Sequence, residues 1–530
     1  MPQPDPLSSA EGDDSPVVRF TDMAYGGDAV GRLGDGPGVA VFAWPGIEGE
    51  LARVAVTERR KNLLRGAVTE VLEPSPLRVQ PPCPYFGPCG GCQWQHVGYA
   101  GQVKFKHDIL RSQLERIGGI EAPDLVLKDP IESPRQFGYR NTSHFALDTA
   151  ASSLGYFRRD THTVVPVDRC PISNDGINEA IPIVNSLLAQ APGEDFVREQ
   201  THGVMRVWQV TIRSGQATGH TLVALHTARA ESHRAPGRAD KRRSRQPARP
   251  EGGPSFEPDA ATGPGIPLLR REVRRAVVGL DRQGPEGQLA LAVVEVMEDG
   301  TTNILGATRA AGALEAEIVA DSIAGSLASQ TAAHRPGGQA GPPVASWVEK
   351  LGERPFWLAS EAFFQVNTQA AELLLAEVSV HVPARLGLLV DAHAGVGTFA
   401  ISLHERAAQA ICFEPHPASI ASGRWTASVA RAGNVEFRHG RAEHLLARLP
   451  YSQKPDLILL DPPRSGCHPD LLGEIARRHI PRIVYVSCDP STLARDIKAL
   501  AGTYRLSAAR VVDMFPQTFH LETVAVLDSV

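Results

Sequence analysis

The sequence is poor in the features that decide a protein class quickly. Across its 530 residues no apolar run reaches the roughly 18 residues that a membrane-crossing helix needs, so bilayer-spanning helices are not expected. The opening MPQPDPLSSAEGDD lacks the apolar core of a secretory signal, which points to a cytoplasmic protein. A basic excess is lacking too: 54 Lys and Arg against 59 Asp and Glu leave a net charge of -5. Affinity for nucleic acid must then come from local basic surface and base contacts rather than from bulk charge. Cysteine is scarce, with seven residues, which excludes a disulfide-stapled scaffold. What is present is globular composition, 42% hydrophobic and 21% charged, in a chain too long for one hydrophobic core. Several domains in a monomeric chain are expected.

Residues 1–15 read as a disordered tail. From 16 to 74, short β-rich pieces (VVRFTDMAY, GVAVFAW, LARVAVTERR, RGAVTEVLE) alternate with Gly, Asp and Pro turns, the pattern of a small β-barrel. The stretch MAYGGDAVGRLGDGPGVAVFAWPGIEGE resembles the TRAM domain, an OB-like barrel that binds RNA; a barrel without a ligand is the alternative, since fold does not fix function. Residues 75–350 form a central α+β region. It holds a cysteine cluster, a helix over YAGQVKFKHDILRSQLERIGG closed by Gly118 and Gly119, and strand-like runs such as HFALDT, LGYFRR and VMRVWQVTIRS. A low-complexity insert at 229–265 carries eight Lys or Arg between Arg229 and Arg249, and a shorter Gly/Pro/Ala segment spans 333–345. The insert suits RNA phosphates. Without interleaved aromatics to stack bases, a solvated loop is the stronger reading.

From 351 to 530, helical segments alternate with short apolar strands, as in a doubly wound parallel sheet whose chemistry lies at the strand carboxyl ends. LGLLVDAHAGVGTFAISL reads as a strand, a turn at Gly395 and Gly397, and a helix. The next strand ends in Glu414, where a carboxylate can accept hydrogen bonds from both ribose hydroxyls of an adenosyl group. The turn lacks the third glycine of a dinucleotide loop, so S-adenosylmethionine fits better. Asp461 closes the strand of LILLDPPRSG. Amino-methyltransferases place a similar Asp-Pro-Pro beside the target atom, which keeps an exocyclic-amine methyltransferase open.

IVYVSCDPSTLARD sets Cys488 between a strand and a helix, where helix N-terminal amides could stabilise a thiolate. A thiolate can add to C6 of uracil and turn C5, otherwise too weak a nucleophile, into an enolate-like carbon. The C5 proton must later be removed by a base, for which Glu522 in FPQTFHLETVAVL is the candidate. Taken singly, a buried cysteine is more often a small hydrophobe. Cys412 and Cys467 are read as structural thiols, and His520 as a surface or capping histidine.

Together, FWLASEAFFQVN, VDAHAGVGTFA, LLDPPRSG, VYVSCDPSTLARD and MFPQTFHLETVAVL, in this order, resemble the RNA uracil-C5 methyltransferase family, and with the barrel and cysteine cluster the similarity covers nearly the whole chain. The resemblance implies a Rossmann-like class I S-adenosylmethionine-dependent catalytic domain over 351–530 that makes 5-methyluridine, with ribosomal RNA expected ahead of transfer RNA. It implies Cys488 as nucleophile, Glu522 as base, and Gln365, Glu414 and Asp461 in contact with the methyl donor or target base. Two positions depart from the family's glycine loop: His393 and Thr398 stand where an aromatic residue and an Asn are usual, and both retain groups that can bind the cofactor. Asp489 replaces the usual Asn after the cysteine, a charge that raises the thiol pKa unless the side chain points away.

CPYFGPCGGCQWQH spaces Cys83, Cys89 and Cys92 as C-x5-C-x2-C, and Cys170 offers a fourth thiolate. Spacing leaves zinc and iron-sulfur both open. The resemblance implies a 4Fe-4S cluster on these four cysteines. Arg140, Asn141, Phe364 and Gln365 are of the kind that hold an extruded base, or else form a structural network. The expected partner is RNA with an unstacked uridine in a loop. The rival readings are an amino-methyltransferase and a non-catalytic RNA-binding protein.

Overall fold

The computed structural model describes residues 15–34, 38–148, 153–190, 205–218, 221–229, 274–280, 289–296, 302–310 and 346–530. The expected tail at 1–15 apart from its last residue, the basic insert beyond Arg229, and the segment 333–345 lie outside them. Among the described residues no helix is long and apolar enough to cross a membrane.

The N-terminal β-rich pieces close into a five-stranded barrel, in spatial order Val17–Met23, Ala29–Leu33, Val39–Trp44, Leu63–Glu73 and Leu51–Arg60. Strand alternation turns Val18, Phe20, Val41, Ala43, Ala52 and Val54 inward, and all are buried. Gly31 is needed because a Cβ there would stand 2.5 Å from the Arg19 carbonyl oxygen across the ladder. The central region is an eight-stranded antiparallel sheet that includes Thr142–Asp148, Met205–Ser214 and Thr221–Arg229, with the helix Asp175–Gln190 packed on it.

The third body is the doubly wound sheet. Its strands run, in spatial order, Val435–His439, Ala407–Glu414, Leu386–Ala392, Leu457–Leu460, Arg482–Ser487, Glu522–Ser529, Tyr504–Val512 and Leu127–Ile131. The first five are mutually parallel, and Glu522–Ser529 is inserted antiparallel to both neighbours. Leu457–Leu460, Leu389 and Val390 are fully buried, as expected of strands covered on both faces.

The last strand of this sheet, Leu127–Ile131, comes from the central part of the sequence and pairs parallel with Tyr504–Val512, covering what would be an open edge. The expected helix is present at Tyr99–Arg116, and its buried face packs against the catalytic-sheet helix Pro490–Leu500. From the same helix the Lys106 ammonium donates to Asp513 Oδ1 at 2.6 Å and to the Phe515 carbonyl at 3.0 Å, on the loop after Tyr504–Val512, with both charged side chains buried. Burial pushes the Lys106 pKa down while the Asp513 carboxylate pulls it back up.

A buried ion pair is weak evidence of net stability, but breaking one from a single side is costly. Lys106→Met would leave the Asp513 carboxylate buried without its cation. A loss of about 3–5 kcal/mol in urea denaturation is expected; a loss below about 1 kcal/mol would show that the pair carries no such constraint.

Candidate active site

Strand register brings the candidate residues to one edge of the sheet. Ser487 pairs with Thr523 across the antiparallel junction, so Cys488, one residue past its strand, and Glu522, the first residue of the next, face each other. Leu460 pairs with Tyr485 on one side and with Ala392 on the other, which sets Asp461 between Cys488 and the glycine turn. Glu414 ends the strand beyond. Cys488, Glu522, Asp461 and Glu414 therefore belong to one row of strand ends.

The turn after Leu386–Ala392 has unusual backbone geometry. His393, Gly395 and Gly397 have φ of +65°, +56° and +77°, and the helix that follows, Thr398–Ser402, is only five residues long. Glu414 stabilises this turn: its Oε2 accepts from Gly395 N at 2.9 Å and its Oε1 from His416 N at 2.8 Å. Asp391 Oδ2 accepts from Ala400 N at 3.1 Å. Asp391 Oδ1 and His393 Nδ1 are buried without a protein partner, two polar atoms for which a bound adenosyl or amino-acid moiety would account. Burial pulls the His393 pKa down, so the ring there is neutral. Thr398 opens the short helix, half-buried.

The acids at this edge share one low-dielectric space. Burial pushes Asp391 up to about 8, with Asp461 and Glu414 adding to the shift. Burial pushes Asp461 up to about 7. Glu522 is raised well above the usual carboxylate range, first by burial and then by Asp461. Burial, Glu522 and Asp461 together push the Cys488 thiol up to about 12, against an opposing pull from Arg464. Cys488 is thus not an amide-stabilised thiolate in this state. The first helix amides are already taken, because Asp489 Oδ1 caps Pro490–Leu500 by accepting from Ser491 N and Thr492 N, both at 2.9 Å. That cap also answers the concern over the Asp489 charge, whose effect on the thiol is the weakest of those named.

Other expectations change. Asn141 is fully buried and donates to the Gln365 carbonyl and Thr368 Oγ1, both at 2.9 Å, so it is structural. Phe364 packs between Trp347 and Phe356 in the core and is closed to a base, whereas its neighbour Phe363 is 61% exposed. Gln365 is buried in the turn that Asn141 holds; two residues on, Asn367 Nδ2 donates to the Met514 carbonyl on the loop leading to Glu522. His520 is no surface residue: its ring lies against Phe519, with centroids 4.2 Å apart, and burial with nearby Arg464, Lys106 and Arg140 drives its pKa down to about 3.

Sequence reasoning missed Tyr25 and Arg464. Tyr25, on the barrel, donates its hydroxyl to the Cys488 carbonyl at 3.2 Å and meets Phe519 edge-on at 5.3 Å. Nothing in the sequence around Tyr25 signals this, since the contact spans 463 residues of chain. Arg464 directly follows Asp461-Pro462-Pro463, and its place in that motif was a usable signal.

Cys83, Cys89, Cys92 and Cys170 line one cavity together with Arg140, Tyr85 and Tyr156. All four are free thiols. Burial raises Cys83, Cys89 and Cys92, and each is raised further by Cys170. Among the described residues no three His, Cys, Asp or Glu side chains already stand as a finished metal-ligand group. Convergence on one cavity is therefore what the four cysteines display.

Residues 353–530 match the family model described as tRNA (Uracil-5-)-methyltransferase. An uncharacterized RNA methyltransferase of Synechocystis sp. is 31% identical over 519 residues, spanning 97% of this chain and 95% of its own, and one of Thermosynechococcus vestitus is 32% identical over 516 residues, spanning 96% and 97%. The chain belongs to the RNA uracil-C5 methyltransferase family. A solved structure of similar fold is the Pyrococcus abyssi tRNA (uracil-54, C5)-methyltransferase in complex with S-adenosyl-L-homocysteine, with a TM-score of 0.59 and 21% identity over 97% of this chain and all of that one. This member of the family is an RNA methyltransferase that uses S-adenosylmethionine.

For this methyltransferase the buried thiol gives a pH test. A thiol raised to about 12 is neutral below that value and ionises only as pH rises through it. Alkylation of Cys488 by iodoacetamide, followed on its own peptide by mass spectrometry, should climb about tenfold per pH unit up to at least pH 10. A plateau near the ordinary thiol value of about 8.5 would contradict the assigned environment.

Proposed function

We propose that this RNA methyltransferase forms 5-methyluridine at an unstacked uridine through a transient bond between Cys488 and C6 of the base. The observation that carries the reading is the facing of Cys488 and Glu522 across the Ser487–Thr523 pair, with Asp461 alongside. The Cys488 thiolate attacks C6, and the electrons of the C5–C6 double bond move onto C5 and the O4 carbonyl. Glu414, Asp461, Gln365, His393 and Thr398 would hold S-adenosylmethionine, whose sulfonium methyl group would be taken by C5 as the methyl–sulfur bond breaks and S-adenosylhomocysteine departs. Glu522 then takes the C5 proton, the C5–C6 double bond re-forms, and the C6–sulfur bond breaks to return the thiolate. A carboxylate whose pKa is raised by burial is a stronger base than a solvated one, which suits Glu522 to this role. The same burial keeps the thiolate scarce and strongly nucleophilic, and Arg464 is the cation that favours its formation.

The five-stranded barrel is read as a TRAM domain that binds RNA, and the cavity of Cys83, Cys89, Cys92 and Cys170 as the seat of a 4Fe-4S cluster. Four free thiols on one cavity suit such a group, which would relieve the mutual repulsion of their ionised forms. The cluster's role is structural, since methylation needs no redox step. The protein is taken to act as a cytoplasmic monomer, on ribosomal RNA before transfer RNA. An amino-methyltransferase is the second reading, favoured by Asp461-Pro462-Pro463.

Cys488→Ala should abolish 5-methyluridine formation and the covalent adduct with 5-fluorouridine RNA; an active Cys488→Ala enzyme, or methylated adenine or cytosine amines in treated RNA, would overturn the reading. Anaerobic purification should yield a brown protein with about four irons per chain. A colourless zinc protein would refute the cluster. Mapping 5-methyluridine in ribosomal and transfer RNA, with and without the gene, identifies the substrate.

A further inference from the structure

The loop Asp513–Leu521 delivers Glu522 to the site, and its conformation depends on side chains from the other end of the chain. At its centre Gln517 is 3% exposed and has φ of +71°, a conformation that side-chain-bearing residues rarely adopt. Three hydrogen bonds hold it there. Gln517 N donates to Gln102 Oε1 at 2.8 Å, Gln102 Nε2 donates to Gln517 Oε1 at 3.1 Å, and Trp94 N donates to the Gln517 carbonyl at 3.0 Å. The orientation of the Gln102 amide is fixed by backbone groups. Its oxygen faces an N–H, and its nitrogen also lies 3.1 Å from the Trp94 carbonyl and 2.9 Å from that of Val97.

Gln102 is 1% exposed on the buried face of Tyr99–Arg116 and reaches no reacting atom. An amide buried with both ends satisfied, one of them on a left-handed residue five positions before the base, is a costly arrangement unless it holds that backbone in place. Flanking contacts act in the same sense: Lys106 binds Asp513 and the Phe515 carbonyl, and Tyr139 donates to the Pro516 carbonyl at 2.9 Å. These contacts fix the segment before Gln517, while Gln102 fixes its turn.

We infer that Gln102 is a positioning residue for the proton-abstraction step, holding Gln517 in its left-handed turn and thereby aiming Glu522 at C5 of the base. This inference rests on the reading of Glu522 as the base. It separates two halves of the reaction. Attack by Cys488 and methylation at C5 precede proton removal, so loosening the turn should leave a methylated, sulfur-bound RNA that resolves slowly. A residue that merely stabilised the fold would lower every step alike.

The test uses full-length protein, S-adenosylmethionine and unmodified uridine RNA. Gln102→Met preserves length and burial while deleting the hydrogen bonds. It should bind S-adenosylmethionine like the wild type, slow product release about 10- to 100-fold, and accumulate a denaturation-resistant protein–RNA adduct. Gln102→Asn, whose amide falls about 1.5 Å short of Gln517, should give the same result and serves if the methionine variant does not fold. Adding Gln517→Gly to either variant should recover much of the release rate, since glycine adopts φ of +71° without side-chain conflict. Glu522→Gln is run in parallel. If Glu522→Gln accumulates adduct and the folded Gln102 variants release product at the wild-type rate, or lose methyl transfer and release equally with no recovery from Gln517→Gly, the inference is overturned. If Glu522→Gln accumulates none, the assignment of the base falls and the inference with it.

Discussion

The antiparallel insertion of Glu522–Ser529 between Arg482–Ser487 and Tyr504–Val512 is the constraint on which the site depends. Chemistry in a parallel sheet gathers at the carboxyl ends of strands, where chains leave and loops can vary. A reversed strand brings its amino end to that same edge. Glu522 thus begins its strand, paired with Val512, where Cys488 has just left one, so the ladder sets the approach of both to the site. A shift of one residue in this register would turn Glu522 to the other face of the sheet and empty the site.

Burial at that edge has opposing effects. The dry setting that pushes up Asp391, Asp461, Glu522 and Cys488 makes each a better base or nucleophile once ionised, and makes ionisation harder. Of the groups named for Cys488, Arg464 favours the thiolate. Burial thus disfavours the charged form of each acid at this edge, and a cation bound there would favour it. The surrounding frame is drawn from distant sequence: Tyr25 from the barrel, Gln102 and Lys106 from the helix after the cysteine segment, and Leu127–Ile131 from the central region. The catalytic sheet is completed by chain that precedes it by hundreds of residues.

This explains what could be read beforehand. The strands around LGLLVDA, QAICFE, LILL and IVYVS were legible because segments buried on both faces are apolar throughout, and their last residues announced the site. The helix at Tyr99–Arg116 was legible as a helix-like segment ended by Gly118 and Gly119. Tyr25, Gln102 and the joining of Leu127–Ile131 to the far sheet were not, since each depends on tertiary contact and leaves no local pattern. Whether Phe364 faces a base or belongs to a structural network was open for the same reason: two adjacent phenylalanines look alike until one of them is packed against Trp347. Asp489 does raise the thiol, as its charge suggests, though weakly, and its further service as a helix cap was not legible.

The central claim is that the proton leaving the base is the one on C5. RNA carrying tritium at uracil C5 tests it directly, by comparing label released to water with methyl groups incorporated. The account predicts one C5 hydrogen released for each methyl group gained. Methyl incorporation with the label retained in the RNA would contradict it.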